Sequence, residues 1–182
     1  MNVFRTTLVL IIATALMLTT SCGQPEKDTP SEIGGTPAED TSNFNLFNFV
    51  FKYGVTLRNK LDTFNGTYTK DMVLAPSITI NLRLTGEELN QILAKMNEIN
   101  FFNYPDVFEV PPGELTQVVT PYSKYYFKVR FGSDTKELHW DDEILNPNEQ
   151  ANRLRELINL IRGIIESKEE YKSLPEPKGG YL

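Results

Sequence analysis

The chain has 182 residues, 24 Asp+Glu against 18 Lys+Arg for a formal net charge of −6, and a single cysteine. That charge excludes nucleic acid and anionic polymers as partners held by bulk electrostatics. One cysteine excludes an internal disulfide.

Arg5 is the only charged residue before an aliphatic run over 8–18, which Thr14 and alanines interrupt. The run is shorter than the ~20 residues that span a bilayer, so an uncleaved anchor helix is disfavoured. A weakly basic start, a short apolar core and a small-residue exit describe a secretory signal peptide over 1–21. Leu18, Thr20, Ser21 and Cys22 close the segment. On these residues the leader resembles that of bacterial membrane lipoproteins, with Thr19 where the class usually has Leu. The resemblance implies that Cys22 becomes the new N-terminus and carries a diacylglyceryl thioether and an N-acyl chain such as palmitate. Two or more chains anchor stably where one does not. The expected location is the extracytoplasmic side of the cell membrane, lipid-anchored.

Residues 22–43 change composition: Pro25, Pro30, Pro37, Gly34 and Gly35 stand among Ser, Thr, Glu and Asp, and Ile33 is the one large aliphatic residue. Such a segment cannot bury enough apolar area to offset its ordering entropy. It reads as a flexible tether with an average span of about 25 Å. A single globular domain is expected over 44–174, and an extended tail over 175–182 beyond Pro175.

Within the domain, Phe47, Phe49, Phe51, Tyr53, Val55 and Leu57 alternate with polar residues, the period of a strand with one buried face. Ile78, Ile80, Leu82 and Leu84 repeat the pattern. Thr85 and Glu88 form a capping box, and Leu89, Ile92, Leu93, Met96 and Ile99 follow at helical spacing. After an aromatic plug at 101–104 and a Pro-Pro-Gly loop at 111–113, Tyr125, Phe127, Val129 and Phe131 predict a third strand. A tight turn at 132–135 leads to a fourth strand holding Leu138 and Trp140. Asn146, Pro147 and Glu149 predict a second helix with Asn146 at its cap and Pro147 at its first position. Its stripe is Ala151, Leu154, Leu157, Ile158, Ile161 and Ile165. The expected fold is therefore α+β: an antiparallel sheet of about four strands with two helices on one face, and strand-strand-helix order occurring twice. In this order, and in residues 59–72, the domain resembles uncharacterised envelope lipoproteins, a likeness that implies no activity.

Residues 59–72 exceed the usual two to five residues of a hairpin loop. One reading is a recognition loop offering Asp62, Asn65, Thr67 and Asp71. The patterning favours an added hairpin, 61–64 paired with 67–72 across Asn65-Gly66, with φ > 0 at both turn residues. Tyr126, between Tyr125 and Phe127, is the aromatic residue expected on the open sheet face and available for stacking. His139, the only histidine, is expected to face solvent beside it. Asp141, Asp142 and Glu143 lack calcium-loop spacing and read as an acidic turn before a helix. No catalytic, cofactor or metal motif emerges. The expected function is a non-enzymatic binding or accessory module of the cell envelope. It would be held to the membrane by lipid and face an envelope protein or polymer. A carboxylate-dependent hydrolase using Asp62 and Asp71 is the alternative.

Overall fold

The computed structural model describes residues 46–181. The leader, Cys22 and the tether lie outside the described residues. Among the described residues, no helix is long and apolar enough to cross a membrane.

The alternation of Phe47, Phe49, Phe51 and Tyr53 produces strand β1 (Phe47–Gly54), with each of these rings buried. β1 is central to the sheet. It pairs antiparallel with β2 (Asn59–Asp62) on one side and with the long strand β6 (Val118–Phe131) on the other. β3 (Thr67–Met72) and β4 (Ala75–Asn81) extend the first side. β7 (Asp134–Ile144) and β5 (Val107–Phe108) extend the second, giving the order β4-β3-β2-β1-β6-β7-β5. Gly132 opens the β6–β7 turn at φ 61°, as the first residue of a tight primed-type turn requires.

The four-stranded antiparallel sheet with two helices is thus corrected. The sheet has seven strands and is mixed, because β5 runs parallel to β7. Among the described residues three α-helices accompany it: α1 (Gly86–Glu98), α2 (Glu149–Ser167) and α3 (Glu169–Lys172). Strand-strand-helix does not occur twice; four strands precede α1 and three precede α2. The physical reasons are local. Residues 59–72 form two strands of their own, so β4 joins β3 rather than β1. β5 is two residues long, too short to show a period.

Cross-strand register keeps one face apolar throughout. Phe51 lies opposite Leu61 and Phe127, Leu61 opposite Tyr68, and Phe127 opposite Leu138. Ile92 and Met96 of α1 and the stripe of α2 from Ala151 to Ile165 join these side chains in one buried cluster. Each fully buried Phe or Leu stabilises by about 1.5–3 kcal/mol, so this cluster dominates the energetics. Phe51 stacks on Phe127 at 4.7 Å, and Phe127 meets Phe101 edge-on at 5.3 Å.

The helices are fixed at their ends. Thr85 Oγ1 accepts from the Glu88 N–H, and Glu88 Oε2 accepts from the Thr85 N–H, closing the capping box. Lys168, just after α2, adds an ion pair to Glu88 at 2.6 Å and ties the end of α2 to the start of α1. α2 is capped by Asn148, whose side chain accepts from the Ala151 N–H at 2.9 Å. The expected cap, Asn146, instead accepts from the Gln117 N–H and donates to the Leu115 carbonyl, and so staples the preceding loop. The segment after Pro175 is extended and docked: Val73 bridges Lys178, and Tyr181 donates to Asp71.

Candidate functional site

Asp62 and Asn65 shape the β2–β3 turn. Asp62 pairs with Thr67, so residues 63–66 form a four-residue loop. Among the turn residues only Gly66 has positive φ, at 63°. The two-residue turn with both Asn65 and Gly66 at φ > 0 is therefore corrected to a longer one. Asp62 makes it possible: its carboxylate accepts from the Asn65 N–H at 3.1 Å and from Asn65 Nδ2 at 3.0 Å. The residue is 6% exposed. Burial works against the ionised form, but the two Asn65 donors and Lys60 outweigh it and hold the carboxyl below its usual range.

Asp71 sits at the other end of the same hairpin, also 6% exposed. It accepts from the Thr56 hydroxyl at 3.0 Å, from the Val73 N–H at 3.0 Å, and from the Tyr181 hydroxyl. Burial again opposes ionisation and is outweighed, here by Tyr181, Val73 and Thr56, so this carboxyl is also depressed. The Val73 bond helps hold a β-branched residue at φ 60°, a conformation that costs of order 1–3 kcal/mol.

The two acids do not form a catalytic pair. Four residues separate Asp71 from the partner of Asp62, roughly 13 Å at ~3.3 Å per residue. A glycosidase pair needs about 5–9.5 Å and one raised acid. The acidic run 141–143 is likewise divided. Asp142 takes a two-pronged bond from Arg155, at 3.0 and 2.6 Å, whereas Asp141 pairs with Lys124 at 3.3 Å. No group of three or more potential metal-holding side chains lies among the described residues.

Tyr126 lies on the sheet face opposite the helices. It pairs across strands with Lys52 and His139. The Lys52 ammonium is 5.3 Å from its ring centre, and the His139 ring is 4.6 Å away. Burial and the neighbouring Glu137 carboxylate push the Tyr126 phenol up. Lys52, Thr56, Leu57, Tyr126, Glu137 and His139 border a shallow depression of about 380 Å³. Ion pairs flank it on the same face: Lys60–Asp62 along β2, and Lys128–Glu137 and Lys124–Asp141 across β6 and β7. Of the five candidates, Asp62, Asn65 and Thr67 gather at one turn, while Asp71 and Tyr126 lie elsewhere.

A second polar site escaped the sequence reading. Where α2, α3 and residues 175–181 meet the end of the sheet, a cleft of about 310 Å³ is bordered by Tyr53, Asn59, Lys70, Asp71, Arg162 and Tyr171, among others. Tyr53 and Tyr68 share a buried hydroxyl hydrogen bond at 2.7 Å. Burial pushes the Tyr53 phenol up to about 12 and the Tyr68 phenol higher still. Lys70 is 4% exposed and lies 4.8 Å from the Tyr171 ring centre. A sequence signal existed: Lys70 is two residues from Tyr68, which puts a lysine on the face that alternation buries.

No family model and no curated protein matches this chain.

Proposed function

We propose that the chain is a lipid-anchored, non-enzymatic binding or accessory module of the cell envelope. Cys22 carries the lipid, residues 23–43 form the tether, and the domain presents its open sheet face to an envelope protein or polymer. The observation that carries the binding reading is the uncovered centre of the sheet. There Tyr126 lies between Lys52 and His139 over a shallow depression. An aromatic ring flanked by a cation and an imidazole offers stacking, cation–π contact and hydrogen bonding, which suits a hydroxyl-rich or peptide surface. The non-enzymatic reading draws support from the carboxylates, which are engaged in turn, strap and helix contacts.

The test is site-directed photocrosslinking in native envelopes. Benzoylphenylalanine in place of Tyr126 is expected to give a discrete adduct, and the same group in place of Glu98 on the helical side is expected to give none. Equal adducts at both positions, or an adduct at Glu98 alone, would overturn the assignment of the face.

A further inference from the structure

We infer that the cleft between β3 and α2 is a binding site for a ligand carboxylate, which would bond Lys70 in the place that Glu176 of the C-terminal strap now borders, with Arg162 adding positive charge on the same cleft.

The inference starts from an imbalance. An ammonium carries three donors, and a buried one needs close acceptors to offset its desolvation. Among the described residues, the Lys70 ammonium meets one acceptor, Glu176 Oε1 at 3.4 Å, and that glutamate side chain is 88% exposed. A long bond to a solvated carboxylate is a weak counterpart for a side chain 4% exposed. The ring of Tyr171 faces the same ammonium at 4.8 Å.

A second cation borders the same cleft with a donor unspent. Arg162 Nη2 reaches Glu166 at 3.2 Å, but its Nε is buried and has no hydrogen-bond acceptor. Its guanidinium lies 5.6 Å from the Tyr53 ring centre. Lys70 and Arg162 thus border one hollow with the Tyr171 and Tyr53 rings, and buried Tyr68 links those two rings behind it.

The acids in the cleft do not fill this role. Asp71 is turned to Thr56, Val73 and Tyr181, and Glu166 is held by Arg162. Only Glu176 approaches Lys70, and it belongs to a strap most of whose residues remain exposed. A carboxylate entering the cleft would complete the Lys70 coordination and release Glu176 to water. A singly charged carboxylate would replace the one negative charge that Glu176 brings; displacement of Glu176 leaves Lys70 and Arg162 balanced by Asp71 and Glu166, so a dianion would add a charge with no partner. A hollow of about 310 Å³ lies at the small end of small-molecule sites. The tyrosine walls suit a flat or apolar body behind the carboxylate.

Calorimetric titration of the full chain with benzoate, and with benzamide as its uncharged match, tests the site. Benzoate is expected to bind at least tenfold more tightly than benzamide. Glu176→Gln removes a tethered competitor and is expected to tighten benzoate binding about 3–10-fold, the scale of a local competitor at modest effective concentration. Lys70→Met is expected to lose at least tenfold. If circular dichroism shows that Lys70→Met unfolds, Arg162→Gln, at a half-buried position, decides in its place with a loss of at least threefold. Equal binding of benzoate and benzamide would overturn the site. So would no gain with Glu176→Gln, or unchanged binding in the Lys70 or Arg162 variant that folds.

Discussion

The open face of the sheet and its strapped end use charge in opposite ways. On the open face, Lys60 and Asp62 pair along β2, and Lys128–Glu137 and Lys124–Asp141 meet across strands, with at least one partner of each pair substantially solvated. Such pairs contribute little, typically 0–1 kcal/mol. At the strapped end, Lys70 and Asp71 are buried, the Tyr53 and Tyr68 hydroxyls are sealed together, and a few bonds from residues 175–181 close the arrangement. There each lost partner strands a polar group away from water, which costs about 1–3 kcal/mol and more for a charge. The difference separates a face free to change for a partner from an end where polar groups also hold the fold.

Substitution sharpens this contrast. The largest effect is expected from Asp71→Ala, which removes the acceptor of the Val73 N–H and of the Thr56 and Tyr181 hydroxyls and releases the strap. A loss of about 2–3 kcal/mol in chemical denaturation is expected, and a loss below 0.5 kcal/mol would contradict the buried clamp. Asp62→Ala is expected to cost less, about 1–2 kcal/mol, because it removes the two bonds to Asn65 but leaves the strap in place. Lys128→Ala on the open face is expected to stay within ~0.5 kcal/mol. Equal costs at Asp71 and Lys128 would erase the distinction between the two regions.

Acid titration breaks the comparison in another way. The Asp62 and Asp71 carboxyls lie below their ordinary value in the folded chain. As pH falls, the unfolded chain therefore takes up the proton first. The stability these groups contribute is complete above the ordinary Asp value of about 3.9 and is lost as pH falls through their folded values. Denaturation curves below about pH 4 should be less steep in pH for Asp71→Asn than for the wild-type chain. Parallel curves would show that Asp71 is not linked to folding.

Legibility in the sequence followed the length of each pattern. Six alternating positions from Phe47 announced β1, although the strand ends at Gly54 rather than at Leu57. Thr85 and Glu88 announced the start of α1, because a capping box satisfies two orphan amides with residues fixed three apart. At α2 two asparagines flank Pro147, and the sequence favoured the wrong one. Asn148 wins because its side chain reaches the Ala151 N–H while Asn146 is engaged by the loop before it. The strand count failed at both ends of the scale. Patterning favoured a hairpin in residues 59–72 but not its membership of the sheet, and β5 is too short for any period.

The sites were legible as residues but not as partnerships. Asp62 and Asp71 were visible candidates. Their engagement by Asn65 and by Tyr181 depends on a four-residue turn and on a tail that returns 110 positions later, neither of which leaves a local mark. Tyr126 was legible because alternation alone places it opposite Tyr125 and Phe127. The cleft around Lys70 and Arg162 required α2 to be laid against β3, and pairing across that sequence distance has no periodic trace.

The central claim, a domain held at the membrane through Cys22, is tested most directly by metabolic labelling of the full chain with a clickable fatty acid in a bacterial host. The wild-type chain is expected to carry the label and to sediment with membranes, and Cys22→Ser to carry none and to leave the membrane fraction. Equal labelling of the two chains, or no labelling of either, would contradict it.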